Sequence, residues 1–250
     1  GKIGLKDSIN NLLNNKIDII GVKPYIYKIY KINLLKIGFI GVTKFFNKLN
    51  NNDLINILYN NILKLIKKLK NKVDILILSI HWGNEYNFKN NEKQRELAIK
   101  FIENGVDIII GHHPHVIQNM EKININNNSG YVFYSIGNFL FDSHKKKKGV
   151  RNTFILKIII DNNRNINFKY LPCVIHPKKG FIPINTVDEY VIEFPKQSTK
   201  KAEDLYKYIN NTKKIICENF SKKKNYQNKI IFLIFVILIY YVFFFNKHFH

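Results

Sequence analysis

Val73-Asp74-Ile75-Leu76-Ile77-Leu78-Ser79-Ile80-His81-Trp82-Gly83 is followed, after a polar interval, by Val106-Asp107-Ile108-Ile109-Ile110-Gly111-His112-His113-Pro114-His115. Each stretch opens on Val-Asp, continues as a nearly unbroken apolar run and ends in histidine. A run with no polar alternation has no side to offer water, so it predicts a parallel strand buried on both faces. Before the first run, residues 53–70 place Leu54, Leu58, Ile62, Leu65, Ile66 and Leu69 at three- and four-residue steps, the stripe of an amphipathic helix. Residues 92–104 read as a second helix stopped by Gly105. The order helix, strand, helix, strand predicts an α/β fold. Earlier segments keep the rhythm, with a helix expected at 5–14 and strands at 17–20 and 34–42. Later ones break it: 131–136, 153–160 and 166–171 are short runs between Asn-rich or Lys-rich turns, suited to an antiparallel edge. No internal repeat is evident.

In open α/β sheets, ligands bind beyond the carboxyl ends of the strands. If the two runs are neighbours, His81, His113 and His115 meet there. Neutral imidazole is a common metal ligand, and His-Pro-His in an extended turn can aim two rings into one cavity. By alternation His112 is expected to point away. The other reading, loop histidines hydrogen-bonded to backbone, stays open from spacing alone. Glu85 follows closely on His81 and could orient a ligating histidine or act on a proton, or be an ordinary exposed loop carboxylate. Asn138, in Tyr134-Ser135-Ile136-Gly137-Asn138-Phe139, could offer its amide to a metal or substrate, or serve only the turn. His144, His176, His248 and His250 have no such setting and read as surface residues.

The 250 residues, 46% hydrophobic, suffice for one core-forming domain with appendages. The formal charge of +22 comes from 40 basic and 18 acidic residues, of which only Arg95, Arg151 and Arg164 are arginine. Arginine forks onto phosphates and guanine edges, so its scarcity, with no recognisable nucleic-acid-binding motif, argues against nucleic acid as a partner. Ile, Asn and Lys, whose codons are rich in A and T, are abundant throughout, so part of the charge reflects genome composition. Residues 141–250 nevertheless carry 21 basic against 8 acidic side chains. Cys173 and Cys217 show no metal or disulfide spacing. The start at Gly1, without Met, predicts a fragment of something longer. Residues 230–245 (IIFLIFVILIYYVFFF) hold no charge. As a helix they would cover about 24 Å, against a hydrocarbon core of roughly 30 Å that flanking lysines and local thinning can bridge. A membrane span is expected, with a buried core helix or strand pair as the other reading.

Taken together, SIHWGNEY (79–86), Gln94 with its helix, GVDIIIGHHPHVIQ (105–118) and YSIGNFLFD (134–142) resemble the CapA/PgsA family of capsule and poly-gamma-glutamate synthesis proteins. That family is similar to the calcineurin-like metallophosphoesterases. The resemblance covers roughly residues 1–185. It implies a layered α-β-β-α sandwich, incomplete at its N-terminus, over 1–195, then a Lys-rich connector (196–229) and a C-terminal transmembrane helix (230–246). His81, His113 and His115 match metal-binding histidines, with Glu85 and Asn138 beside them or on the substrate. The metal implied is divalent (Mn, Fe or Zn), in a site binuclear only in a longer protein. The family's Asp-containing and Asn-His motifs lie upstream of this chain's start, and GKIGLKDSINNLL resembles the helix that follows them. Catalysis is therefore not expected from these residues alone; a longer protein would be a metal-dependent phosphoesterase-like hydrolase. The function implied is synthesis or export of a cell-envelope polymer at the bacterial membrane. The alternative is a non-catalytic membrane scaffold that binds an anionic polymer or a polymer-synthase subunit. Lysines before the apolar run would leave the domain cytoplasmic, whereas the resemblance implies an extracytoplasmic domain.

Overall fold

The apolar run of residues 75–80 lies near the middle of a six-stranded sheet. The computed structural model describes residues 2–44, 61–139, 141 and 147–175, with the backbone of three short strands beyond them. The elements in order are α1 (Lys2–Asn14), β1 (Tyr27–Ile32), β2 (Leu35–Thr43), α2 (Ile62–Lys70), β3 (Ile75–His81), α3 (Glu92–Glu103), β4 (Ile108–His112), β5 (Met120–Ile125), β6 (Asn128–Phe133), β7 (Asn152–Ile160), β8 (Ile166–Ile175), β9 (Pro183–Asn185), β10 (Tyr190–Val191) and β11 (Ile231–Leu233).

The first sheet runs β1-β2-β3-β4-β6-β5. Its four central strands are parallel, and its two edges are antiparallel. The two faces of β3 and β4 bury different partners, as a period of two requires. Leu76, Leu78, Ile80 and Ile109 pack with Ile62, Ile66 and Leu69 of α2 and with Ala98, Phe101 and Ile102 of α3. Ile75, Ile77, Ile108 and Ile110 pack instead on Phe154, Leu156, Ile158, Ile160, Phe168 and Tyr170 of the second, antiparallel sheet. Each such side chain contributes about 1.5–3 kcal/mol by leaving water. The described residues thus form helix, sheet and sheet layers. The connector at 196–229 and the domain limit at 195 fall on residues outside those described.

Several expectations are corrected. Residues 17–20 belong to no strand. β1, Tyr-Lys-Ile-Tyr-Lys-Ile, takes the edge of β2 as an antiparallel hairpin, and Asp18 is held by Lys28 and Tyr30 of that strand. The run at 131–136 is not an antiparallel edge: its first part is β6, parallel to β4 and buried at Val132 and Phe133. The edge is β5, whose alternation of buried and exposed residues suits one solvated face. The helix expected over 53–70 is described from Ile62 as α2, and residues 45–60 lie outside those described. Of the apolar run 230–245, only Ile231–Leu233 is described, as a short strand antiparallel to β7, and the rest of the expected span lies outside the described residues. Among the described residues no helix is long and apolar enough to cross a membrane.

Candidate metal centre

Parallel register brings Thr43, His81 and His112 level at the carboxyl ends of β2, β3 and β4. Beyond this row the chain makes two loops, tied together where Tyr86 N–H donates to Pro114 O at 2.8 Å. One loop carries Glu85 and the other His113 and His115. The backbone is left-handed at Tyr86 (φ 64°), His113 (102°) and His115 (61°), a conformation costing about 1–3 kcal/mol at a non-glycine residue. Such strain persists only where the surroundings over-determine it, and here it aims the rings inward.

One nitrogen each from His113 and His115 and one oxygen of Glu85 lie within 4.8 Å of one another. His115 Nε2 is 3.9 Å from Glu85 Oε1. His81 stands beside this group, its ring centre 4.6 Å from that of His113, and the His113 and His115 rings are 6.0 Å apart. The three expected histidines therefore come together, but the tightest trio takes Glu85 in place of His81. His112 faces His81 across the ladder and is not one of the trio. His144, His176, His248 and His250 lie outside the described residues.

Burial first, then the neighbouring His113, His112 and His115, drives the His81 imidazole down to about 2. Burial and His115 lower His113 to about 4, with Glu85 pulling the other way, and burial alone lowers His112 to about 4. These rings stay neutral near pH 7, as a metal requires of its ligands. Two imidazoles and a carboxylate, with a third imidazole adjacent, fit a nitrogen and oxygen donor set for Mn, Fe or Zn.

The supports of the site are partly unannounced by the sequence. Asn138, buried, places Oδ1 2.9 Å from His115 Nδ1. Tyr86 stacks on His115 with ring centres 5.9 Å apart, and Phe141 lies 4.8 Å away. Burial, then Glu85, pushes the Tyr86 hydroxyl up to about 12. Lys147 Nζ sits 5.2 Å over the Tyr86 ring. Beneath the Glu85 loop, Asn91 and Gln94 form a capping box at the start of α3. Gln94 Nε2 donates to Gln118 Oε1, and Gln118 Nε2 donates to the carbonyls of Asn87 and Lys89. Gln94 and Gln118 both lie in the motifs quoted above, but no spacing rule pairs residues 24 positions apart. Lys147 belongs to a run of four lysines and is indistinguishable there from the general lysine excess.

Residues 1–143 match the family described as bacterial capsule synthesis protein PGA_cap. The PGA biosynthesis protein CapA of Bacillus subtilis (strain 168) is 37% identical over 103 residues, which are 41% of this chain and 26% of that protein. The capsule biosynthesis protein CapA of Bacillus anthracis is 44% identical over 69 residues, 28% of this chain and 16% of that protein. The matched stretches thus span a minor part of each relative's length. A solved phosphatase from Mycoplasma pneumoniae overlaps 71% of this chain and 62% of its own at 14% identity and a TM-score of 0.35. That overlap is partial, and the chemistry of the site is read from its own geometry. Matched over more than half of its 250 residues, the chain belongs to the bacterial capsule synthesis protein PGA_cap family.

Proposed function

We propose that this chain is part of a CapA-type protein acting in the synthesis or export of a cell-envelope polymer such as poly-gamma-glutamate, through a metal-dependent, phosphoesterase-like site. The observation that carries the reading is the convergence of Glu85, His113 and His115 at the carboxyl edge of the parallel strands. The layering of helices, sheet and second sheet supports a metallophosphoesterase-type framework. His113, His115 and Glu85, with His81 alongside, would hold a divalent Mn, Fe or Zn ion. Once bound, such an ion polarises a phosphoryl oxygen as a Lewis acid. The chain's own groups do the rest: His81 and His113 stay neutral, Glu85 contributes negative charge, and Tyr86 and Phe141 keep water from the His115 ring.

Metal content tests this directly. Purified protein dialysed against Mn, Fe or Zn should retain a divalent ion by elemental analysis. His113→Ala and His115→Ala should each lose it, and unchanged content in both would sink the reading. For the membrane, residues 230–245 are proposed as the anchor, with the domain on the extracytoplasmic side. The competing place for their start is the edge of β7, where Ile231–Leu233 pairs. Resistance of the protein in membranes to alkaline carbonate extraction supports the anchor, and release into the supernatant supports the edge strand.

One observation favours a second reading, a non-catalytic scaffold for an anionic polymer or a polymer-synthase subunit. Lys147 is parked over Tyr86 at the rim of the site, where a carboxylate of such a polymer would be attracted. Binding of polyglutamate that survives loss of both histidines would make the scaffold the main function.

A further inference from the structure

We propose that Asn138 is a positioning residue that locks His115 in the tautomer protonated at Nδ1, leaving the Nε2 lone pair turned toward Glu85. A neutral imidazole carries one proton, and which nitrogen holds it is decided by that nitrogen's partner. Asparagine can decide it because its two amide ends are chemically opposite: the oxygen only accepts and the nitrogen only donates.

Here the orientation of the amide is forced. Asn138 Nδ2 donates to His115 O at 3.2 Å and to Val150 O at 3.0 Å. Two carbonyl oxygens cannot face an amide oxygen, so Oδ1 must be the atom 2.9 Å from His115 Nδ1. An accepting oxygen requires a donor opposite it, so Nδ1 carries the proton. Nε2 is then the basic nitrogen, and it is the one 3.9 Å from Glu85. His115 is 0% exposed and Asn138 4%, so bulk water does not compete for either group.

The turn that presents Asn138 is built to hold it still. Gly137 has φ +79°, and a Cβ there would lie 2.9 Å from Asn152 O, so the turn presses against the start of β7. Thr153 Oγ1 donates to Ile136 O, Gly137 N–H donates to Ser135 Oγ, and Ile136 N–H donates to Gly111 O at the end of β4. The Ser-Ile-Gly-Asn sequence at 135–138 is therefore a bracket between the two sheets. Its last residue turns its oxygen onto the imidazole, 2.9 Å from His115 Nδ1.

The consequence for metal binding rests on the reading of His115 as a ligand; the tautomer itself does not. Long-range proton–nitrogen NMR of histidine-labelled, metal-free protein near neutral pH should show His115 protonated at Nδ1. Asn138→Leu should shift that population toward the Nε2-protonated form and weaken Mn or Zn binding about 10- to 100-fold. Asn138→Asp keeps an oxygen that can accept from Nδ1 but sets its other oxygen against the carbonyls of His115 and Val150, so in the folded variant the Nδ1 proton should persist while stability falls. A wild-type His115 protonated at Nε2 overturns the inference without any variant being needed. So does a folded Asn138→Leu protein with unchanged tautomer and affinity. If the wild type shows the Nδ1 proton but binds no metal, the proposed function fails while the tautomer lock stands.

Discussion

At Gly111, between the last two isoleucine-flanked positions of β4 and its histidine, the chain tolerates no side chain. A Cβ there would lie 2.0 Å from Tyr134 O and 2.4 Å from Trp82 Nε1, two atoms that are themselves bonded, indole N–H to carbonyl, at 2.9 Å. Trp82 is fully buried directly after His81, so this bond fixes the root of the Glu85 loop. Gly111→Ala must push the indole off its carbonyl, leaving a buried donor and acceptor unpaired. We expect a loss of about 2–4 kcal/mol by urea unfolding. Because Trp82 is the chain's one tryptophan, its fluorescence should also shift in the folded variant. At this scale the sequence was informative about residue types and silent about their pairing. His81, His113 and His115 could be grouped because each follows a strand end. The Asn138 contact joins residues 23 positions apart through a turn whose amide direction depends on two backbone carbonyls, and no spacing carries that information. Glu85 stood out because it follows His81, but the choice between a site residue and an exposed loop carboxylate turns on the Tyr86–Pro114 backbone bond, which brings its loop to His115.

Element by element, the strands with one solvent-facing side were the hardest to read. β3 and β4 are apolar on both faces and were legible at once. β1 interleaves lysines with half-buried tyrosines and isoleucines, and β5 alternates, so neither gave a run long enough to stand out. The amino-terminal ends of the central strands hold the opposite chemistry to their histidine ends. There Lys70, Asp74, Asp107 and Arg164 line a cavity of about 690 Å³. Lys70 Nζ contacts both Asp107 oxygens at 2.6 and 2.9 Å, and Arg164 bonds Asp74 at 2.6 Å. Burial pushes the Asp107 carboxyl above its ordinary value, against the pull of Lys70 and the Leu76 N–H. Lys70→Met should therefore cost about 1–3 kcal/mol, less than a fully buried pair because both partners are partly wet, and its urea midpoint measures this. The hairpin edge behaves differently with acid. The hydrogen bonds from Lys28 and Tyr30 hold the Asp18 carboxyl below the ordinary carboxylate value. That stabilisation is complete above the ordinary carboxylate value and fades as the pH falls through the lowered one. Asp18→Asn should lose stability near neutral pH, and the gap to wild type should close as the pH falls below about 4 in urea titrations.

For the molecule as a whole, the charge of +22 matters through where it stands, not through its size. Most lysines are spread over a surface whose composition leans to Lys and Asn everywhere, but Lys147 is held beside the one trio of metal-type ligands found among the described residues. If an anionic polymer is the partner, its affinity should fall with salt, and Lys147→Met should weaken it more than Lys64→Met, on the outer surface of α2. Polyglutamate binding titrated at two ionic strengths checks both; equal losses from the two variants would assign the attraction to net charge alone. The layered architecture and the site's location were legible because a buried parallel strand and a carboxyl-end loop follow from elementary packing. The second sheet's role as the opposite wall was not, since 153–160 and 166–171 alone do not say which surface they cover.

The Gln94–Gln118 amide pair bears on the surroundings in which such a protein would work. A polyanion carries its own atmosphere of counterions, and a loop fastened by ion pairs would loosen as that atmosphere crowded in. The Glu85 loop is fastened instead by uncharged, buried amides, which neither screening nor moderate acidity touches. Its geometry should therefore be indifferent to ionic strength, whereas the pull of the lysine at its rim on an anion should not be.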